Sequence, residues 1–324
     1  MKNLIAAASI ALMGLTGTAI ADGHDAYPER PLMLMVSYGA GGATDFQARI
    51  VTMTAGNEDA LGMPIAIINK PGAGGRVGWN WFASQAEADG YTLGAYNIPH
   101  FIAQSIEGGV EYGADSFEPI ANWGADPAVF VVAADSEFNS MEDVINYATA
   151  NPGGLTFSGA GLFVGHHIAA LQLEKAAGVK LAYIPNNKGG AGAMKAVIAG
   201  EVLGGVNNLS DAFRAREAGN VKILGVFDND RNDFMPDVPT MKEQGWDLDF
   251  YTTRGLVAPK GTPPERVQVL YEGFAKITQE PEFVETMGNI GLGIHVLTPQ
   301  EYEEFLEKVK QLAIVSLKNV GMLE

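Results

Sequence analysis

The sequence predicts an α/β protein of two lobes, each a mostly parallel sheet flanked by helices, joined by a two-strand hinge. Two observations carry this prediction. Strand-like apolar runs alternate with helical ones along the chain, as parallel sheets built through crossover helices require. Two extended segments, residues 117–134 and 250–259, interrupt the alternation. A chain that leaves one lobe, builds a second and returns must cross twice, so these segments mark a hinge with a cleft beside it. The implied division is a leader of residues 1–21, one lobe of residues 22–125 plus 250–324, and another of residues 126–249.

The strand runs are residues 32–38, 65–69, 91–96, 128–133, 155–158, 202–207 and 221–227. The first, with Leu32, Met33, Leu34, Met35 and Val36, is apolar throughout and suits a strand covered on both faces, its methionines serving as core filler. It leads through Ser37-Tyr38-Gly39-Ala40-Gly41-Gly42 into a helix that Thr44 or Asp45 can cap and that buries Phe46, Ile50 and Met53. Ser140 can cap a helix at Asp143, with Val144 and Ala148 turned inward. Thr262-Pro263-Pro264-Glu265 reads as a capping box with proline at the first helical position, before Val267, Leu270, Phe274 and Ile277. Thr298-Pro299-Gln300-Glu301 repeats the device before Phe305, Val309 and Leu312. Pro119 and Pro127 flank the apolar part of the first crossing segment.

Lys2, a mostly apolar stretch from Leu4 to Ile20, and the small-x-small sequence Ala19-Ile20-Ala21 together predict a signal peptide cleaved after Ala21. Gly14, Thr16, Gly17 and Thr18 break the stretch and no basic cluster follows, which argues against a membrane anchor. With no cysteine in the chain, lipid attachment, disulfides and thiolate metal sites are all excluded, so a freely soluble periplasmic protein is expected. Cleavage would leave 303 of the 324 residues, enough for two domains, and 47% hydrophobic against 18% charged residues marks a packed core. The net charge of −17 repels nucleic acid and anionic lipid headgroups, so neither is expected as a partner. An anionic ligand would have to be held by local dipoles against that field.

Amides converging in a glycine turn at a helix start form such a local site, above all for a carboxylate or phosphate. The turn is not a P-loop, because no Gly-Lys-Ser/Thr occurs in the chain. It is not a dinucleotide fingerprint either, because Thr44 stands where the third glycine belongs. Read from its residues alone, it is an anion site or a plain strand-to-helix turn.

Six short pieces then occur in order: Tyr27-Pro28-Glu29-Arg30-Pro31, Gly41-Gly42-Ala43-Thr44-Asp45, Asn69-Lys70-Pro71-Gly72-Ala73-Gly74-Gly75, Asp89-Gly90-Tyr91-Thr92-Leu93, Pro236-Asp237-Val238-Pro239-Thr240 and Ala258-Pro259-Lys260-Gly261-Thr262-Pro263. This series resembles the substrate-binding proteins of tripartite tricarboxylate transporters, the Bug family. The resemblance implies a type 2 periplasmic-binding-protein fold that closes like a Venus flytrap, without catalysis or cofactor. It also implies delivery of a small organic carboxylate to the large and small membrane subunits of an ion-gradient-driven carrier; a monomer is expected. One ligand carboxylate would lie on the amides of Ala40, Gly41, Gly42, Ala43, Thr44 and Asp45. Facing it would be a second glycine loop, carrying Asn187, Lys188, Gly189, Gly190 and Ala191. Tyr38, Asn97, Ser158, Asn186, Asn207 and Arg254 would read the rest of the ligand.

Two departures from the family pattern stand out. The usual Val-Pro-Tyr before the second loop is Ile184-Pro185-Asn186 here, and Thr253-Arg254 occupies the place of a frequent tryptophan. Arg254 suits either a bidentate grip on a carboxylate or an ion pair, at the surface or between the lobes. The extra amides and this arginine lean toward a polar di- or tricarboxylate. Asn207, Asn208 and Asp211 follow a strand and either line the cleft or form its turn. The adjacent His166 and His167 cannot chelate from one helix face and read as structural or cleft-lining. A hydrolase of small carboxylate esters or amides is the competing class, although no Gly-x-Ser-x-Gly surrounds Ser158; a secreted scaffold is the third.

Overall fold

The computed structural model describes residues 27–324 except 114, 295, 320–322 and 324, so the expected signal peptide lies outside the described residues. The chain runs β1 (Leu32–Val36), α1 (Ala43–Met53), β2 (Ile65–Asn69), α2 (Arg76–Gln85), β3 (Thr92–Ile98), α3 (His100–Glu107) and β4 (Phe117–Ala133). Next come α4 (Met141–Ala150), β5 (Thr156–Gly159), α5 (Gly165–Ala177), β6 (Ala182–Pro185), α6 (Gly189–Ile198), β7 (Gly204–Asn208), α7 (Leu209–Glu217) and β8 (Val221–Val226). After the return strand β9 (Tyr251–Pro259) follow α8 (Pro264–Ile277), α9 (Pro281–Gly288) and α10 (Pro299–Asn319).

One long strand organises the sheet. The first part of β4 pairs antiparallel with β9, and its second part pairs antiparallel with β7 and β8. The strands therefore lie in the order β2-β1-β3-β9-β4-β7-β5-β6, with β8 joined to β4. The predicted parallel pairing holds for β1 with its neighbours β2 and β3 and for β5 with β6 and β7. The crossing strands pair antiparallel, so the whole sheet is mixed. They coincide with the two predicted crossings and lie side by side.

Both faces of each half are covered. Along β4, Val129 and Val131 pack on one face with Val197, Leu209 and Ala212, while Phe130 and Val132 pack on the other with Phe157, Leu173 and Val206. This is the period-2 alternation of a strand buried on both sides. Around β1 and β9, Leu34, Val36 and Leu256 face Ile50 and Phe274, and an aromatic layer of Trp79, Phe82, Tyr96, Phe101 and Phe117 closes the opposite face. Tyr302 of α10 joins that aromatic layer, whereas Leu317 near its end joins the core of the other half.

Two of the four predicted helix caps form. The Ser140 hydroxyl accepts the Asp143 amide while Asp143 accepts the Ser140 amide, and Thr298 and Glu301 exchange the same pair of bonds. That at Thr262 does not: α8 starts after Pro263 without a side-chain cap, and Thr262 instead donates its hydroxyl to the Pro259 carbonyl. Proline at the first helical position is present there as predicted.

Candidate functional site

Two glycine turns, one from each half of the sheet, meet face to face. The first joins β1 to α1. Gly41 has φ +84, a left-handed conformation that glycine adopts without steric cost, and Gly42 sits at the helix N-cap with no side chain to cap it. The second joins β6 to α6, where Gly189 has φ +73 and Asn186 accepts the Lys188 amide on Oδ1. A Cβ on Gly39 would lie 3.1 Å from the Lys188 carbonyl oxygen, and one on Gly42 would lie 3.7 Å from the Ala191 amide nitrogen. The approach is that close because neither position carries a side chain.

Neither proposed cap residue caps α1 in the expected way. The Thr44 hydroxyl accepts from Asn97 Nδ2 at 2.7 Å and from Arg254 Nε at 3.2 Å. Asp45 accepts the Gly41 amide at 2.8 Å, just outside the helix, and is held by Arg49 and Asn69. Burial pushes the Asp45 carboxyl toward a higher pKa, but the hydrogen bonds from Arg49, Gly41 and Asn69 outweigh it and hold it below the usual carboxylate value. The first helical amide, that of Ala43, donates to Asp211 Oδ2 at 3.2 Å. Asp211 opens α7 in the other half and pairs with Arg214 at 2.6 Å, and that guanidinium lies 4.2 Å from the Phe46 ring centre. Burial raises the Asp211 pKa, while Arg214 opposes the rise.

Arg254, on β9, is 1% exposed and forms a 2.7 Å ion pair with Asp126 on β4. Of the two readings the sequence allowed, the structure displays the ion pair. Asp126 also accepts from Gln47 Nε2 and from the Ser210 hydroxyl and amide, so one carboxylate ties α1, the crossing strands and α7 together. Arg254 Nη2 has no partner among the described residues, nor does Asn97 Oδ1, nor either amide atom of Asn207. Buried polar atoms left in this way are unusual and expensive.

His100 and His166 complete the floor, with ring centres 6.2 Å apart. Nδ1 of His166 accepts the Ala160 amide at 3.1 Å, and Nδ1 of His100 accepts the Gly165 amide at 3.3 Å. Burial lowers both pKa values, that of His166 to about 4, against a raising effect from Asn208. A neutral imidazole that accepts on Nδ1 carries its proton on Nε2, so both histidines present N–H donors. Asn208 stands beside His166 Nε2 without closing a hydrogen bond to it. Among the described residues no group of three or more acidic, histidine or cysteine side chains could hold a metal ion.

The space between the turns is about 20 Å³, lined by Tyr38, Gly42, Ala43, Thr44, Asn97, Lys188 and Gly190 among the predicted residues. That is room for about one water, so a solute enters only when the halves part. Gly39, His100, Ala160, His166, Asn208 and Asp211 line it as well. Of these, His100 gave no sequence signal. The other predicted residues lie around this space rather than on it. Ala40, Gly41 and Asn187 are exposed, while Asp45, Asn186, Gly189, Ala191, Asn207 and Arg254 support the walls. Ser158 donates its hydroxyl to the Ile184 carbonyl within the sheet. A larger cavity of about 360 Å³ lies elsewhere, bounded by Ile98, Thr253, Phe250 and the α10 side chains Phe305 and Val309. Its walls are largely apolar, and it receives neither glycine turn.

A mixed sheet crossed by paired strands, with two helix-opening turns facing across a cleft, defines a two-lobed solute-binding protein. The chain belongs to the tripartite tricarboxylate transporter receptor family, whose model matches residues 48–320. It is 32% identical to a UPF0065 protein encoded in the gbd 5′ region of Cupriavidus necator, over 98% of this chain and 95% of that one. It is similar to the solved periplasmic binding protein BugD, at 28% identity and a TM-score of 0.85, over 92% of this chain and 99% of BugD. MatC from Rhodopseudomonas palustris, solved with bound malate, shares the fold at 24% identity and a TM-score of 0.79, covering 92% of this chain and all of MatC (100%). The family is one of receptors and BugD is a periplasmic binding protein, so this chain is a receptor of that family rather than an enzyme.

Proposed function

We propose that this receptor captures a small organic carboxylate, with a di- or tricarboxylate favoured, between residues 40–45 and 187–192. The two facing glycine turns carry the reading. A helix start leaves its first amides without intrahelical acceptors, and α1 and α6 both open toward the same cleft. The unpartnered donors around them, Arg254 Nη2, Asn207 Nδ2 and His166 Nε2, suit the far end of an anionic solute. Tyr38 and Asn97 line the space and can read it, Asn186 reads it from the loop it supports, and Ser158 acts by fixing the strand beneath. The malate bound by MatC is a ligand of this class.

The lobes are residues 22–125 with 250–324, and 126–249, parting about β4 and β9, with the end of α10 bridging them. The leader is cleaved after Ala21 and the mature monomer is released, without a lipid, into the periplasm. Closure on the ligand shifts an open–closed equilibrium, and the large and small membrane subunits of the carrier select the closed form. The hydrolase alternative loses its support, because the Ser158 hydroxyl is spent on a carbonyl.

Thermal melts of the purified protein with a panel of mono-, di- and tricarboxylates test the reading. A ligand at a hundred times its Kd adds about 2.7 kcal/mol of stability, which a melt resolves. An unchanged melting temperature across the whole panel would overturn it.

A further inference from the structure

We infer that Asp211 is the residue that sets ligand selectivity, favouring a carboxylate with an ammonium group close to its head over one that is purely anionic. The inference rests on the carboxylate-binding reading above and adds to it the identity of the neighbouring group.

Asp211 does not merely border the cleft. Its Oδ2 holds the Ala43 amide of α1, and the same oxygen lies 3.1 Å from where a Cβ on Gly190 of α6 would stand. A fixed negative charge therefore already sits between the two helix starts, where a purely anionic solute would seek to place its own. Asn207 Oδ1 lies 3.2 Å from that same point and has no partner, and Asn208 Oδ1 is buried and unpartnered nearby. Two oxygen acceptors thus converge on one spot, with Asn208 lining the same space. Arg214 engages only Oδ1 and the Ala43 amide engages Oδ2, and a carboxylate with two oxygens has lone pairs left for a further donor.

Donors stand beside these acceptors, His166 Cε1 lying 3.5 Å from the same point. His166 Nε2 and Arg254 Nη2 are both buried without a closed hydrogen bond. A ligand bearing a carboxylate and an ammonium group on adjacent atoms satisfies both sets at once, with its anion on the donors and its cation on Asp211 and the amide oxygens. A second carboxylate in the ammonium position would face the buried Asp211 carboxylate, where like charges repel more strongly than in bulk water.

Calorimetric titration with two matched pairs, aspartate against succinate and glutamate against glutarate, reads this directly. The wild type should prefer the amino member of each pair by about tenfold or more. Asp211→Asn should weaken the amino members, strengthen the plain acids and bring the ratio close to one. Arg214→Gln, which removes the counter-charge but leaves Asp211 in place, should raise the ratio. It also decides the matter if Asp211→Asn does not fold. Equal strengthening of both members in Asp211→Asn would reduce Asp211 to a competitor for the anion site and overturn the inference. So would a ratio that neither variant moves. If no carboxylate in either pair or in the wider panel binds the wild type, the underlying reading and this inference fail together. Binding with an indifferent ratio fails the inference alone.

Discussion

Arg254 and Asp126 form a 2.7 Å ion pair between the two crossing strands, each with only 1% of its side chain exposed. Asp126 additionally accepts from Gln47 and Ser210, so removing this carboxylate strands a buried guanidinium and three other donors. A buried charge that loses its partner typically costs about 3–5 kcal/mol. Asp126→Ala should therefore lower the denaturation midpoint strongly, and Asp126→Asn, which keeps the shape, should lower it less. A urea titration showing less than about 1 kcal/mol for the alanine variant would refute this role.

His166 gives stability a pH dependence. Its folded pKa is depressed to about 4 from an ordinary 6.5, mainly by burial, so the unfolded chain takes up a proton first as pH falls. Stability from this group is complete above about 6.5 and drains away toward about 4, by as much as about 3 kcal/mol for the full shift. His166→Asn retains an acceptor for the Ala160 amide but cannot titrate. Its stability should fall less steeply than that of the wild type over this interval. Parallel curves would show that His166 is not held neutral.

Much of the frame was legible because it depends on local order. The strand at residues 65–69 matches β2 residue for residue, and the caps at Ser140 and Thr298 formed, since each needs only neighbours three residues apart. Thr262 failed as a cap because the Pro259 carbonyl, at the end of β9, offered its hydroxyl a nearer acceptor. The predicted strand reaching Tyr38 stops at Val36, where the turn begins. The glycine turns were visible as turns, but what fills them was not. Asp211 reaches the Ala43 amide across 168 positions of sequence, and His100 meets His166 only because α3 and α5 pack together. Such meetings are set by tertiary assembly, which spacing alone does not encode.

Asp45 and Arg49 should respond unequally to truncation. Asp45 accepts the Gly41 amide and the Asn69 side chain as well as the arginine, while Arg49 is half exposed. Asp45→Ala should cost about 1–2 kcal/mol through loss of the turn's acceptor. Arg49→Ala should cost less than about 1 kcal/mol, as solvent-screened pairs do, and should raise the Asp45 pKa. Denaturation curves for the two variants, with carboxyl titration followed by NMR in the second, check both statements. Equal losses would mean that the ion pair, not the acceptor for the turn, matters.

Gly190 separates folding from binding most cleanly. Its backbone is ordinary helix, unlike Gly189 with φ +73, so an alanine there adds no backbone strain. The new methyl would stand 3.1 Å from Asp211 Oδ2 and 3.2 Å from Asn207 Oδ1, both side-chain ends that can yield by a few tenths of an ångström. Replacing glycine inside a helix gains about 0.5–1 kcal/mol, enough to offset that crowding. Gly190→Ala should therefore melt at or near the wild-type temperature. The methyl nevertheless occupies the point between the two turns, so ligand-induced stabilisation should shrink by an amount equal to at least a tenfold loss of affinity, about 1.4 kcal/mol. Gly189→Ala should show the reverse, a lower melting temperature from backbone strain of about 1 kcal/mol or more. If Gly190→Ala binds carboxylates as the wild type does, the ligand does not lie between the turns.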